Sequence, residues 1–285
     1  MLNYVVDPRL ITPLVPAETE IDFENGETFL SVVGFLFLDT RLLGLPVALH
    51  RDFEEVNLRF YVRRKSADMW QRGVVFIREL VPRRAIALIA RTFYGENYIA
   101  LPMKHEIEHL HENLKVEYSW RRGRKWESLK MKATGEPQAI PAGSHAEFIT
   151  EHYWGYTALR NGCSEYRVEH PRWKIWKATG FEFKADVATL YGEQFVEVLN
   201  QPPRSAFIAD GSPITVQKRQ LLYPSVSGAK ETTIASSAIA ATQTTESRRA
   251  DNNRSRSAYR SEASLATRVS PRSFFRSPAS PPVLV

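Results

Sequence analysis

The feature that most constrains this chain is a stretch in which apolar and other residues alternate strictly. Between residues 55 and 63, every second side chain is apolar: Val56, Leu58, Phe60 and Val62. Successive side chains of a β-strand point to opposite faces of its sheet. The alternation therefore predicts a strand with one face on a hydrophobic core and the other face polar. Further apolar or alternating segments predict strands at residues 29–38, 73–80, 85–93 and 115–121.

Helical patterns are few and short by comparison. Asp7 and Asp186 are residue types that cap helix N-termini, and they precede candidate helices at 7–14 and 186–199. A third short helix is predicted at 146–150. The strands are joined by short turn-forming segments, which favours antiparallel pairing. We therefore expect an α+β, strongly β-rich fold.

The charge of the chain is unevenly distributed. The whole sequence has 38 Lys and Arg against 32 Asp and Glu, but residues 223–285 carry 9 basic and 4 acidic residues. This last segment is rich in Ser, Thr, Ala, Arg and Pro and contains no Trp, a composition typical of disorder. We predict a nearly neutral domain at 1–222 and a disordered tail at 223–285. Nucleic acid is not expected as a partner, except for non-specific phosphate contacts made by the basic tail.

Compartment and membrane association can also be judged from composition. The longest mainly apolar run, residues 29–38, is about half of the ~20 residues that a membrane-spanning helix needs. The N-terminus lacks the basic and apolar regions of a secretory signal. Cys163 is the single cysteine, so no internal disulfide can form. We expect a cytoplasmic protein that does not span a membrane. Whether it is a monomer or a homo-oligomer is left open by the sequence.

The run from His105 to His109 matches the HExxH pattern, in which two His side chains bind zinc and the Glu is a general base. That chemistry requires a helix, and apolar residues near the run do recur at helical spacing. Pro102 and the flanking strands favour a solvated polar turn instead. A zinc hydrolase using His105 and His109 is therefore kept as an alternative, and the main expectation includes no metal and no cofactor.

Charged residues within predicted strands are candidates for a binding site. Glu55, Asn57 and Arg59 share one face of their strand, where they either line a cavity or contact solvent. Arg78 and Arg91 lie in otherwise apolar strands, so each is expected to pair with an acid or to face a polar cavity. Lys104 follows a strand and Pro102; such a lysine is usually solvated, but in an apolar pocket it would become a nucleophile.

Several separated motifs resemble one known family. They are Asn3-Tyr4 with Asp7-Pro8, and the segments 33–40, 50–59, 117–120 and 203–207. Together they make residues 1–222 similar to the YqjF-like family of uncharacterised bacterial proteins, which resembles acetoacetate decarboxylase in fold. The resemblance implies a mixed or antiparallel β-barrel with a few short helices and an internal cavity. It also leaves open whether a first strand of the family is missing before Asn3.

The resemblance to acetoacetate decarboxylase extends to its site residues only in part. That enzyme forms a Schiff base through the first Lys of a pair that follows a Pro, and the counterpart here is Pro102-Met103-Lys104. Met103 thus replaces the nucleophile and Lys104 matches the second Lys. Glu55 corresponds to the enzyme's strand-entry Glu, whereas its first-strand Arg falls near Val5 and is absent.

Besides the zinc hydrolase, the residues and the resemblance leave two functions open. The first is a small-molecule-binding barrel whose ligand is a small carboxylate or keto compound. Its cavity would be lined by Glu55, Asn57, Arg59, Arg78, Arg91 and Tyr94. The alternative is a lyase of the decarboxylase type, with Lys104 as the amine and Glu55 as the proton shuttle.

Overall fold

The computed structural model describes residues 1–38, 52–67, 69–82 and 97–223, and for the backbone alone residues 41–42, 45–46 and 267–268. The predicted strand at 85–93 and the predicted tail, apart from residues 223 and 267–268, lie outside the described residues. Within them, no helix is long and apolar enough to cross a membrane.

Strands dominate the described part of the chain. The strands are β1 (Leu2–Val6), β2 (Glu20–Ile21), β3 (Thr28–Phe37), β4 (Arg41–Leu42), β5 (Leu45–Pro46), β6 (Phe53–Ser66), β7 (Met69–Val81), β8 (Tyr98–Ala100), β9 (Met103–Leu110), β10 (Asn113–Arg122), β11 (Lys125–Thr134), β12 (Gln138–Ala139), β13 (Trp154–Leu159), β14 (Gly162–Glu169), β15 (Lys174–Lys184), β16 (Ser205–Ala209), β17 (Thr215–Val216), β18 (Gln220–Leu222) and β19 (Thr267–Arg268). The strand predictions at 29–38, 55–63, 73–80 and 115–121 are confirmed by β3, β6, β7 and β10.

One continuous mixed sheet connects most of these strands. From one edge the order is β9, β10, β11, β15, β16, β1, β3, β6 and β7, all paired antiparallel. Strand β7 then pairs in parallel with both β8 and β13, β13 pairs antiparallel with β14, and β14 pairs antiparallel with β18. Pairing among the described residues does not close this sheet into a ring. A β-rich mixed sheet is thus confirmed, whereas the predicted closed barrel is not.

The sheet curls so that its two ends pack on each other. Leu30 of β3 and Leu58 of β6 lie in the same core cluster as Tyr118 of β10 and Leu129 of β11. Gly34 of β3 lies at a close approach of the two ends, because a Cβ atom there would lie 2.6 Å from Cδ2 of Tyr118. The apolar face of β6 therefore packs inside the curl.

Short helices complete the fold. They are α1 (Pro8–Ile11), α2 (His145–Thr150), α3 (Val187–Tyr191) and α4 (Val196–Leu199), with 3-10 turns at Thr12–Leu14 and Glu193–Phe195. Asp7 and Asp186 cap α1 and α3, as predicted. The single helix expected at 186–199 is wrong: Gly192, with φ of 117°, interrupts it and separates α3 from α4.

Helix α2 lies against the other face of β6. Its N-cap is Ser144, whose Oγ accepts from the backbone N–H of Glu147 at 3.2 Å. Phe148 and Ile149 of α2 belong to a second hydrophobic cluster that also contains Tyr61 of β6. Around Arg59 and Tyr61, the face of β6 that the sequence marks as polar therefore lies beneath a helix instead of facing solvent.

Candidate polar site beneath helix α2

The buried polar face of β6 carries three of the predicted site residues. Glu55 and Asn57 are almost completely buried, and Arg59 is partly buried. Asn57 Nδ2 donates to Glu55 Oε1 at 3.1 Å. On the neighbouring strand β7, Glu79 pairs directly with Asn57 and adds a second buried carboxyl group to this face. The structure thus brings Glu55, Asn57 and Arg59 together on one face of β6, and their role in ligand binding stays a prediction.

Arg59 reaches from the sheet towards the helix above it. Its Nη2 donates to the carbonyl oxygen of Ile149 in α2 across a long 3.5 Å contact. Its Nε is buried and has no hydrogen-bond partner among the described residues, and the same is true of Asn57 Oδ1. One unsatisfied donor and one unsatisfied acceptor therefore lie on the same strand face.

A row of hydrogen bonds crosses four strands beside Arg59. The strand register aligns Ser205 of β16, Asn3 of β1, Ser31 of β3 and Arg59 of β6. Ser31 Oγ donates to Asn3 Oδ1 at 2.6 Å, and Asn3 Nδ2 donates to Ser205 Oγ at 2.8 Å. The hydroxyl of Tyr61 lies 2.5 Å from Ser31 Oγ and acts as the donor, because the Ser31 proton is already committed to Asn3. We call Ser205, Asn3, Ser31 and Tyr61 the polar row.

A buried histidine is held beside the polar row. His152 Nε2 lies 3.1 Å from Asp22 Oδ2, and the same oxygen accepts from Arg72 Nε at 2.6 Å. Burial lowers the pKa of His152 to about 4, although its hydrogen bond to Asp22 acts in the opposite direction. His152 is therefore neutral at neutral pH and donates its Nε2 proton to Asp22.

Another histidine connects helix α2 to the polar row. His145, the first residue of α2, has its Nε2 3.0 Å from Ser205 Oγ, and its Nδ1 is hydrogen-bonded to Glu24 Oε2. Its ring also packs on the ring of Phe29 in β3, with the centroids 4.7 Å apart. The imidazole is thus fixed from three sides.

Arg78 does not join this site. It pairs with Leu58 across β6 and β7, and directly paired residues share a face, so Arg78 lies on the face opposite to Asn57 and Arg59. Its Nη1 donates to Asn97 Oδ1 at 3.2 Å. The placement of Arg78 in the Glu55 cavity was therefore wrong. Arg91 and Tyr94, the other predicted lining residues, lie outside the described residues.

Lys104 is exposed on β9, and its Nζ lies 5.0 Å from the centroid of the Trp126 ring. A Schiff-base lysine that is activated by desolvation lies in an apolar pocket, whereas Lys104 is exposed and shares the Trp126 ring with the Arg121 guanidinium, 5.8 Å from its centroid. Glu55 is buried on a different strand. The pairing of Lys104 with Glu55 as amine and proton shuttle therefore loses its geometric basis.

The HExxH run also adopts a conformation that does not suit its proposed role. His105 and His109 lie in strand β9, neither in a helix nor in a turn. Four residues of strand span about 13 Å, too far for both imidazoles to bind one zinc ion. His105 Nδ1 lies instead 2.7 Å from Glu54 Oε1, an interaction that raises the pKa of His105. The described residues contain no group of three or more His, Cys, Asp or Glu side chains placed to hold a metal.

The architecture is that of the acetoacetate decarboxylase-like proteins. An acetoacetate decarboxylase-like enzyme from Sphingomonas wittichii RW1 matches with a TM-score of 0.50 and 17% identity, covering 78% of this chain and 89% of the other. The enduracididine biosynthesis enzyme MppR, complexed with the condensation product of pyruvate and imidazole 4-carboxaldehyde, matches with a TM-score of 0.50 and 10% identity, covering 78% and 86%. At these identities the likeness establishes the fold alone.

Within that fold class, the chain belongs to the DUF2071 family, described as an uncharacterized conserved protein, whose model matches residues 1–213. The uncharacterized protein YqjF of Bacillus subtilis (strain 168) is 29% identical over 181 residues, which cover 62% of this chain and 71% of that protein. The predicted YqjF-like resemblance is confirmed.

Sequence reasoning missed most of the polar row and both histidines that contact it. Asn3 and Ser205 lie in motifs that carry the family resemblance, but neither was identified as a site residue. Ser31 and Tyr61 lie within strongly apolar strands. Tyr61 lies two residues from Arg59, and Ser31 pairs with Arg59, so both lie on the sheet face that carries Arg59. Following the strand alternation from Arg59 could have identified them.

Proposed function

We propose that the protein binds a small organic carboxylate beneath helix α2, with Arg59 as its anion-binding residue. The observation that carries this proposal is the buried, unpartnered Nε of Arg59. A guanidinium is always charged and presents five N–H donors, so removing it from water without an anion is costly. Within the described residues Arg59 forms no ion pair, and its hydrogen bond to the Ile149 carbonyl is long, at 3.5 Å.

The neighbouring groups suggest the rest of the ligand. Asn57 Oδ1 is a buried acceptor without a partner among the described residues, so it complements a hydroxyl or another donor. Glu55, bonded to Asn57, is the acid–base group that such a ligand would meet. A small carboxylate with a neighbouring hydroxyl group would satisfy both the Arg59 Nε donor and the Asn57 Oδ1 acceptor. The pyruvate-derived product in the MppR structure supports the same ligand class.

A lyase mechanism is not favoured by the same geometry, because Lys104 is exposed and Met103 occupies the position of the nucleophile. Binding is therefore the function that the polar face of β6 supports best. The proposal names the ligand class, and the identity of the ligand is the first quantity to measure.

Thermal shift and calorimetric titration of the full chain with acetate, pyruvate, lactate and acetoacetate would test this. Each carboxylate would be paired with its neutral amide where one exists. A ligand present at 100 times its Kd should stabilise the fold by about 2.7 kcal/mol. The carboxylates should stabilise the protein and the amides should not.

Arg59→Gln should abolish the stabilisation without lowering the stability of the free protein, because it removes a partly buried charge. Arg63→Gln is the matched control, since Arg63 lies four residues further along β6 on the same face and forms an exposed ion pair with Glu20 at 2.7 Å. Equal carboxylate binding by the Arg59→Gln variant and the parent protein would overturn the proposal.

A further inference from the structure

Ser205, His145 and Glu24 form a hydrogen-bonded chain from a hydroxyl through an imidazole to a carboxylate. Ser205 Oγ lies 3.0 Å from His145 Nε2, and His145 Nδ1 is bonded to Glu24 Oε2. The three residues are separated by 60 and 121 positions in the sequence. The same relation of three groups activates the nucleophile of serine hydrolases.

Three elements hold these groups in place: a tight turn carries Glu24, helix α2 begins with His145, and strand β16 begins with Ser205. Glu24 begins a tight turn closed by two backbone hydrogen bonds with Glu27, at 3.0 and 2.9 Å. Its central residues, Asn25 and Gly26, both have positive φ, as a type I′ turn requires. Ser205 begins strand β16 and pairs with Asn3 of β1. Side chains on elements fixed in this way are already positioned for a reaction.

The hydrogen bonds also determine the direction in which a proton can move. Asn3 Nδ2 donates to Ser205 Oγ at 2.8 Å, and its amide orientation is fixed because Asn3 Oδ1 accepts from Ser31. Ser205 Oγ therefore accepts a hydrogen bond from Asn3 and donates its own proton to His145 Nε2. Neutral His145 then carries its proton on Nδ1, where the Glu24 carboxylate accepts it.

The chain of groups is also accessible. The side chain of His145 is 26% exposed and that of Glu24 is 14% exposed, and Ser205 is partly exposed. Ser31, one step further along the polar row, is completely buried. Ser205 is thus the hydroxyl of the row that both a substrate and water can reach.

We propose that Ser205 is the nucleophile of an acyl-transfer site that hydrolyses small carboxylic esters. Ser205 Oγ attacks the ester carbonyl carbon while its proton moves to His145 Nε2, and the carbonyl electron pair moves to oxygen. The tetrahedral intermediate collapses, the C–O bond to the alcohol breaks, and the alcohol leaves with the proton from His145. Water then repeats the sequence on the acyl-Ser205 ester and releases the acid.

Asn3 and Glu24 assist this reaction from either side. Asn3 Nδ2 donates to Ser205 Oγ at 2.8 Å and so orients the hydroxyl with its proton towards His145. Glu24 is a positioning residue that orients the imidazole. Because none of these steps uses Arg59, the inference goes beyond the carboxylate site, and it can fail or succeed independently of it.

The first test is labelling of the full chain with a biotinylated fluorophosphonate, followed by peptide mapping. The hydroxyl displaces fluoride, so an activated serine forms a stable phosphonyl ester. We expect one adduct per chain at Ser205 and none on Ser205→Ala. Ser212→Ala is the matched control, because Ser212 accepts from Trp173 at 2.8 Å and does not contact His145. A folded parent protein that is not labelled at Ser205 overturns the proposal.

The second test is the dependence of labelling on His145. His145→Gln should slow labelling, and hydrolysis of p-nitrophenyl acetate, by at least ~100-fold. His145→Gly with added imidazole should recover part of the rate. Glu24→Gln should slow both reactions at an unchanged melting temperature, and Glu24→Asp should restore them in part. Equal labelling rates in folded His145→Gln and parent protein contradict the proposal. If no His145 variant folds, the proposal is decided by whether the adduct mapped in the parent protein lies on Ser205.

Discussion

His152 makes the fold sensitive to acid, and the size of the effect follows from its surroundings. The ring is completely buried between Tyr61, Phe148 and Asp22, with the Tyr61 and Phe148 centroids 4.7 and 5.1 Å away. Burial lowers the pKa of His152 from an ordinary 6.5 to about 4, and the nearby charges of Arg72 and Arg59 add to this effect. Folding therefore requires a neutral imidazole.

The sign of the pH dependence follows from that difference. Between pH 6.5 and 4 the unfolded chain binds a proton at His152 that the folded chain excludes. The stability contribution is complete above pH 6.5 and is lost as the pH falls towards 4. A difference of about 2.5 pKa units corresponds to roughly 3 kcal/mol.

Urea unfolding at several pH values between 7 and 4 would measure this, with His152→Gln as the comparison. Glutamine places an amide donor near the position of Nε2, so Asp22 keeps its hydrogen bond but the titrating group is gone. The free energy of unfolding of the parent protein should fall by roughly 3 kcal/mol more than that of the variant. Equal pH dependence in the two proteins would refute the assignment of a neutral, buried His152.

Two further predictions concern packing and the excluded nucleophile. Gly34→Ala should destabilise the fold by about 1–3 kcal/mol in chemical denaturation, because the new Cβ meets Tyr118 at 2.6 Å. Gly180→Ala is the control: no atom lies closer than 3.9 Å to its new Cβ, so stability should change by less than ~1 kcal/mol. Lys104→Ala should change stability by less than ~0.5 kcal/mol. Borohydride should trap no keto acid on Lys104 of the parent protein, and a mapped adduct there would restore the Schiff-base mechanism.

The sequence identified the strands better than their surroundings. Alternation found β6, and it placed Glu55, Asn57 and Arg59 on one face, because a period of two follows from local geometry alone. It could not show that α2 covers that face, since His145 and Arg59 are far apart in the chain. Neither the polar turn expected at residues 105–109 nor the alternative helix is found, because pairing with β10 makes this segment a strand.

Local signals also failed where a single residue redirected the chain. The helix expected from Asp186 has suitable apolar spacing, but Gly192 interrupts it at a positive φ. Arg78 was placed in the wrong cluster because the register of β7 against β6 shifts between Leu58 and Arg59. Such irregularities change which residues share a face, and a single sequence does not reveal them.

The polar row has a consequence for assembly of the sheet that is separate from any chemistry. A slip of one residue between β1 and β3 would move Ser31 from its place opposite Asn3 and turn its hydroxyl into the apolar interior. Each polar group left unsatisfied there would cost about 1–3 kcal/mol. The hydrogen bonds of Asn3, Ser31 and Ser205 therefore fix a single register of β16, β1 and β3. The apolar side chains around them would be compatible with several registers.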